Sequence, residues 1–221
     1  MSKITRCLVA LLLLVAPLAL VSPVEAKDPS SWDSLSVGQV VAYGTPVQGG
    51  CYFSGVSGTT TTNERVSRNI DLKVDNQCVV TVAAKSEAHH GISSKDPTNN
   101  EVDLRDPFNI ILNEVLGTAY ISLCDPNICI SSYVYSCSHL NDGWVTDDCF
   151  ANVNPFVGNP AHASNAGDFH WTGCCNSFQH QQYHAEDIYN RGGGVIVLVC
   201  SWGWSGTISG ANHFTNECFF S

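Results

Sequence analysis

The sequence predicts an all-β fold, an antiparallel β-sandwich or barrel stapled by disulfides, with little helix. Short segments with period-two alternation recur along the chain, separated by turn clusters of Asn, Asp, Gly and Pro. No long amphipathic helical stretch interrupts them. Cysteine is abundant, with 11 in 221 residues.

Residues 1–26 read as a cleavable secretory signal. Lys3 and Arg6 form a positive start, Cys7 to Val21 is almost wholly apolar, and Val24 and Ala26 supply small residues before a cut. The apolar run is about 15 residues, shorter than the ~20 needed to span a bilayer. Pro17 also interrupts it. The remainder, 27–221, is expected to be a single secreted β-rich domain, with one sub-boundary conceivable near residue 138. It holds no apolar run long enough to span a bilayer, so no membrane span is expected after signal removal.

Residues 27–36 have the composition of a flexible start, and Val37 to Tyr43 of a first strand. The segment 54–63, SGVSGTTTTN, reads as a loop. Val66, Arg68, Ile70, Leu72 and Val74 then alternate with polar residues. Asp75-Asn76-Gln77 makes a turn, and Cys78, Val80 and Val82 alternate again, so this stretch is a β-hairpin. Residues 89–109 are polar and read as a long loop, and Ile110 to Leu116 fits a short helix or a strand. A second hairpin is expected from Thr118 to Cys137 about Asp125-Pro126-Asn127. Residues 138–168 have loop composition. Phe169 to Gly173, Phe178 to Tyr189 and Val195 to Trp202 read as strands, with Arg191 to Gly194 as a turn. Gly203 to Ser221 reads as a loop ending in an aromatic strand.

Ten cysteines follow the signal: Cys51, Cys78, Cys124, Cys129, Cys137, Cys149, Cys174, Cys175, Cys200 and Cys218. An even number in an exported chain predicts up to five disulfides, with about 950 pairings open. No pair has the C-x-x-C spacing of structural zinc sites. The neighbours Cys174 and Cys175 should bond to different partners, because a bond between adjacent cysteines is strained.

Without Lys3, Arg6 and Glu25, the chain carries 8 basic and 19 acidic residues, a net charge of −11. That surface repels phosphate, and no basic cluster offsets it, so nucleic acid is not an expected partner. A glycan, a cell surface or another protein is the kind of partner that remains.

Three groups of residues could carry chemistry. The first is His170, His180 and His184. If 178–188 were helical, His180 and His184 would lie one turn apart, at zinc-ligand spacing, with Asp187 on the same side. As a strand, they would stand about 13 Å apart, too far to share a metal. The second is aromatic: Trp171, Trp202, Trp204 and Tyr183. A strand puts Trp202 and Trp204 on one face, as a platform for sugar stacking or as core. The third is acidic. Asn99, Glu101 and Asp103 alternate as hard oxygen ligands do at the start of calcium loops, although the turn glycine is missing. Asp142, Asp147 and Asp148 form another acidic group.

No cofactor is expected, with zinc or calcium as the ions these residues could hold. G-x-S-x-G, the P-loop and the dinucleotide fingerprint are all absent. The leading expectation is a secreted, non-catalytic binding or surface-interaction module. The alternative is an extracellular metal-dependent hydrolase using the histidines.

Overall fold

A computed structural model describes residues 30–89, 97–173 and 177–221. The chain is all-β. Among the described residues the only helical element is the 3-10 turn Trp32–Ser34. The strands are β1 (Ser30–Ser31), β2 (Val40–Tyr43), β3 (Thr45–Val47), β4 (Gly50–Asn63) and β5 (Val66–Val74). Then come β6 (Val79–His89), β7 (Thr98–Arg105), β8 (Ile111–Cys124), β9 (Asn127–His139) and β10 (Trp144–Val153). The last are β11 (Val157–Gly158), β12 (Ala161–Trp171), β13 (Gln179–Asn190), β14 (Ile196–Ser209) and β15 (His213–Phe220).

All pair into one sheet, in the order β10-β12-β13-β14-β4-β5-β15-β7-β8-β9-β11, with β6 and β2 outside β5. The pairing is antiparallel, except that the short β1 lies parallel to β4. β4 and β5 join through a single pair, Asn63 with Val66. The sheet curls there, so that the half ending in β10 faces the half ending in β9. Contacts across the gap include Asn165 Nδ2 donating to the Leu116 carbonyl at 3.1 Å.

Four disulfides are formed among the described residues. Cys137–Cys149 ties β9 to β10, the outermost long strands of the two halves, and Cys200–Cys218 ties β14 to β15 across the interior. Cys51–Cys78 joins β4 to the β5–β6 turn, and Cys124–Cys129 closes the β8–β9 hairpin. The expected export signal and the Cys174-Cys175 pair lie outside the described residues.

Both expected hairpins are present, as β5–β6 and β8–β9. Four segments expected as loops are wholly or partly strands. The Thr-rich 54–63 lies within β4, residues 98–105 form β7, 138–168 contains β10, β11 and most of β12, and 203–209 continues β14. The missing signal has a physical reason. The inward positions of these strands carry Thr60, Thr62, Asn100, Ala161, Ala163 and Asn165, all buried but small or polar. An apolar/polar alternation is therefore not visible along them. The β-branched threonines nevertheless suit a pleated surface.

The core has two apolar parts. One contains Phe53, Val56, Leu72, Leu104, Phe169, Trp204 and Phe214. The other contains Ile128, Ile188, Ile196, Leu198, Cys200 and Cys218. Trp204 stacks on Phe214 with ring centroids 3.6 Å apart, and Phe53 meets it edge-on at 6.5 Å. Beside it the β4–β14 register shifts between Trp204 and Gly206. Gly206 has φ +117°, and a Cβ there would strike the Gln179 carbonyl, so only glycine fits this bulge.

Two stability outcomes follow. Trp204→Ala should destabilise the domain by about 3–5 kcal/mol in urea unfolding, because it empties the centre of the larger cluster. Replacing Cys200 and Cys218 together by Ala should cost about 3 kcal/mol, as expected for opening a loop of this length. An unchanged unfolding midpoint in either variant would contradict this packing.

Candidate functional site

Phe178 to Tyr189 is extended, not helical, and this settles the geometry of the histidines. His180 and His184 are both on the inward face of β13 and fully buried. His180 lies between rings, stacked on Phe169 with centroids 5.4 Å apart and edge-on to Trp144 at 4.9 Å. His170 is elsewhere, near the end of β12, with its Nδ1 2.7 Å from Asp147. The three predicted zinc ligands therefore do not converge, because strand spacing carries successive inward residues apart. Asp187 pairs with His162 on the opposite face of β13. Asp147 is engaged with His170, and Asp142, Asp147 and Asp148 do not gather into a ligand set among the described residues.

The aromatic platform is also corrected. Trp202 and Trp204 share a face, and that face is the interior: both are buried. Trp202 Nε1 donates to Thr60 Oγ1 at 3.2 Å. Trp171 is half-buried against Trp144, with centroids 5.6 Å apart, and Tyr183 is half-buried on the outer face of β13. No joint platform of the four is formed.

Between the two apolar clusters lies a belt of buried polar residues. Thr60 donates to Asn216 at 3.2 Å, Asn216 to Asn100 at 2.6 Å, and Asn100 to the Ala185 carbonyl at 3.3 Å. Thr98 donates to Glu186. Gly117 makes room for the belt, since a Cβ there would collide with His184 and the Tyr133 hydroxyl. Burial pushes the Glu186 carboxyl up to about 8 and both His180 and His184 down to about 3. All three are neutral inside the molecule near pH 7. The Tyr133 phenol is held above its ordinary range by burial and by Glu186.

The outer face of β6-β5-β15-β7-β8 has a different character. Antiparallel register places Ser86, Asn69, Glu217, Glu101 and Leu116 in one row across these strands. The adjoining row is Ala84, Asp71, Thr215, Asp103 and Glu114. Glu101 thus faces Glu217, and Asp103 faces Glu114, although like charges directly opposite one another destabilise a sheet. Asp103 is wholly buried. Its Oδ2 accepts from Arg105 Nη2 at 2.6 Å, Arg105 Nε at 3.1 Å and Thr215 Oγ1 at 3.3 Å. Burial, then Asp103, Glu114 and Glu217, push the Glu101 carboxyl up to about 8. Burial also raises Asp103, against the opposing pull of Arg105, and raises Glu114 together with Asp103.

Beside these rows is a groove of about 330 Å3 lined by Ser67, Asn69, Ser86, Glu217 and Phe219. Asn69 Nδ2 donates to Glu217 Oε1 at 2.7 Å. Arg68 and Glu87 flank the groove as an ion pair at 3.0 Å, and the Arg68 guanidinium lies 4.6 Å from the Trp32 ring centre. The alternation of Asn99, Glu101 and Asp103 was legible in the sequence, but as strand β7 and not as a loop. Glu114, Glu217 and Asn69 were not singled out, because only cross-strand register brings them to the same place.

No protein-family model matches the chain, and no curated protein or solved structure is similar to it at a significant level.

These buried groups fix the pH dependence of stability. Glu186 and Glu101 are raised above the 4.5 of an ordinary glutamate, so their stabilisation is complete below pH 4.5 and lost as pH rises through about 8. His180 and His184 are lowered from 6.5, so theirs is present above pH 6.5 and lost as pH falls through about 3. In EDTA-containing buffer the urea midpoint should pass through a maximum in the weakly acidic range and fall toward both pH 3 and pH 8. Glu186→Gln should flatten the alkaline fall. A wild-type midpoint that keeps rising to pH 9 would contradict the burial of these carboxyls.

Proposed function

We propose that the chain is a secreted, non-catalytic binding module that takes a hydroxyl-rich ligand, a glycan, in the groove beside Glu217. The disulfide-rich all-β domain fits an oxidising compartment. Among the described residues no helix is long and apolar enough to cross a membrane. The observation that carries the reading is the groove lining. Ser67, Ser86, Asn69 and Glu217 combine hydroxyl, amide and carboxylate groups, which suit sugar hydroxyls that both donate and accept. The Phe219 ring offers an apolar wall for the C–H face of a sugar. The volume, about 330 Å3, is at the small end of ligand pockets and matches one or two sugar units.

The surrounding carboxylates give the ligand a sign. Neutral or amino sugars are favoured over sulfated ones, since an anionic ligand would approach Glu217, Glu101 and Asp71. The hydrolase reading through histidine-bound zinc has no support in this geometry, because His170, His180 and His184 do not meet.

A panel of neutral, amino and sulfated glycans titrated against the disulfide-intact protein tests this. Neutral or amino sugars should bind, and Asn69→Ala and Glu217→Gln should each weaken binding at least about tenfold, the loss expected when a hydrogen bond to a charged or buried group goes. Failure of every sugar at millimolar concentration would overturn the proposal. Consumption of the sugar would replace it with a hydrolase.

A further inference from the structure

We propose that Glu101, Asp103 and Glu114 form a binding site for a divalent cation of calcium type on the outer face of β7 and β8. The site does not depend on what occupies the neighbouring groove. Carboxylate oxygens of the three residues lie within 4.8 Å of one another, close enough to share one ion.

The state of Asp103 points independently to a ligand. Its side chain is wholly buried. Oδ2 is committed to Arg105 and Thr215, whereas Oδ1 is shut off from solvent and receives no hydrogen bond from an amide, hydroxyl or cationic donor. A buried carboxylate oxygen left in this condition is costly. It is enclosed beside Glu101 and Glu114, the two other acids that could hold a cation against it.

The backbone fixes the three residues in place. Glu101 and Asp103 are two apart on β7 and point the same way, and Glu114 stands directly opposite Asp103 on β8. Arg105 is bonded to Asp103. A divalent ion held by the three carboxyls would relieve the like-charge facing of Asp103 and Glu114.

The donor set selects the ion. All three donors are hard oxygens, with no imidazole or thiolate among them, which suits calcium or magnesium and not zinc. Glu101 and Glu114 are only half-buried, so water can complete the shell. That flexible, partly hydrated coordination is what calcium accepts more readily than magnesium.

The disulfide-intact protein, stripped with EDTA and desalted, should be titrated with calcium chloride by calorimetry and followed by thermal unfolding. One ion should bind with a Kd of about 10⁻⁴–10⁻³ M, the range of extracellular calcium modules, and raise the Tm. Glu101→Gln and Glu114→Gln, at half-buried positions, should each weaken binding at least tenfold. Asp71→Asn, in the same row but bonded to His213 at 2.9 Å, should leave it unchanged. No heat and no Tm shift at about 10 mM calcium in the wild type would overturn the proposal. Undiminished binding in both glutamate variants would also overturn it. Glycan binding retained without calcium would leave the groove reading intact, so the two proposals can fail separately.

Discussion

The structure depends on a polar belt held inside an otherwise apolar sandwich. Trp202, Thr60, Asn216 and Asn100 form a hydrogen-bonded chain from β14 through β4 and β15 to β7, and Asn100 returns to the backbone of β13. This chain crosses between the two halves of the curled sheet. Apolar side chains can slide over one another with small penalties, but a buried amide out of register loses its partner and pays desolvation in full. The belt therefore fixes how the two halves face each other. Cys200–Cys218 holds the same two regions covalently, with Cys218 Sγ 3.8 Å from the Thr60 carbonyl.

Two histidines are also inside, His180 and His184. His184 and Glu186 need no charge in that position, since burial keeps each neutral near pH 7. Gln182, His184 and Glu186 retain buried atoms without protein partners, which is the condition that internal water satisfies in globular domains. His180 and His184, which read as metal ligands along the sequence, are thus neutral interior residues. Acidic residues meet instead in cross-strand rows on the outer face of β5, β15, β7 and β8.

The four disulfides complement this arrangement. Cys137–Cys149 links β10, at one end of the strand order, to β9, the last long strand before the short β11 at the other. An unclosed sheet has edges, and a covalent tie there holds the halves together as a closed hydrogen-bond ladder would.

By itself the sequence determined the class of fold, because period-two alternation and turn residues act locally: β5–β6 and β8–β9 could be read strand by strand. It also determined the disulfide-rich character and the acidic charge, which are counts. It did not determine the strands whose inward residues are Thr60, Asn100 or Asn165, since their burial is satisfied by partners more than 80 residues away in the chain for Thr60 and Asn100. The orientation of Trp202 and Trp204 was likewise open, as period two places both on one face without saying which face is inside. Disulfide pairing was open for the same reason. Only the tertiary structure decided that Asp103 would face Glu114 and that Glu101 would face Glu217. Register between strands is set by long-range packing, and nothing in a local run of residues records it.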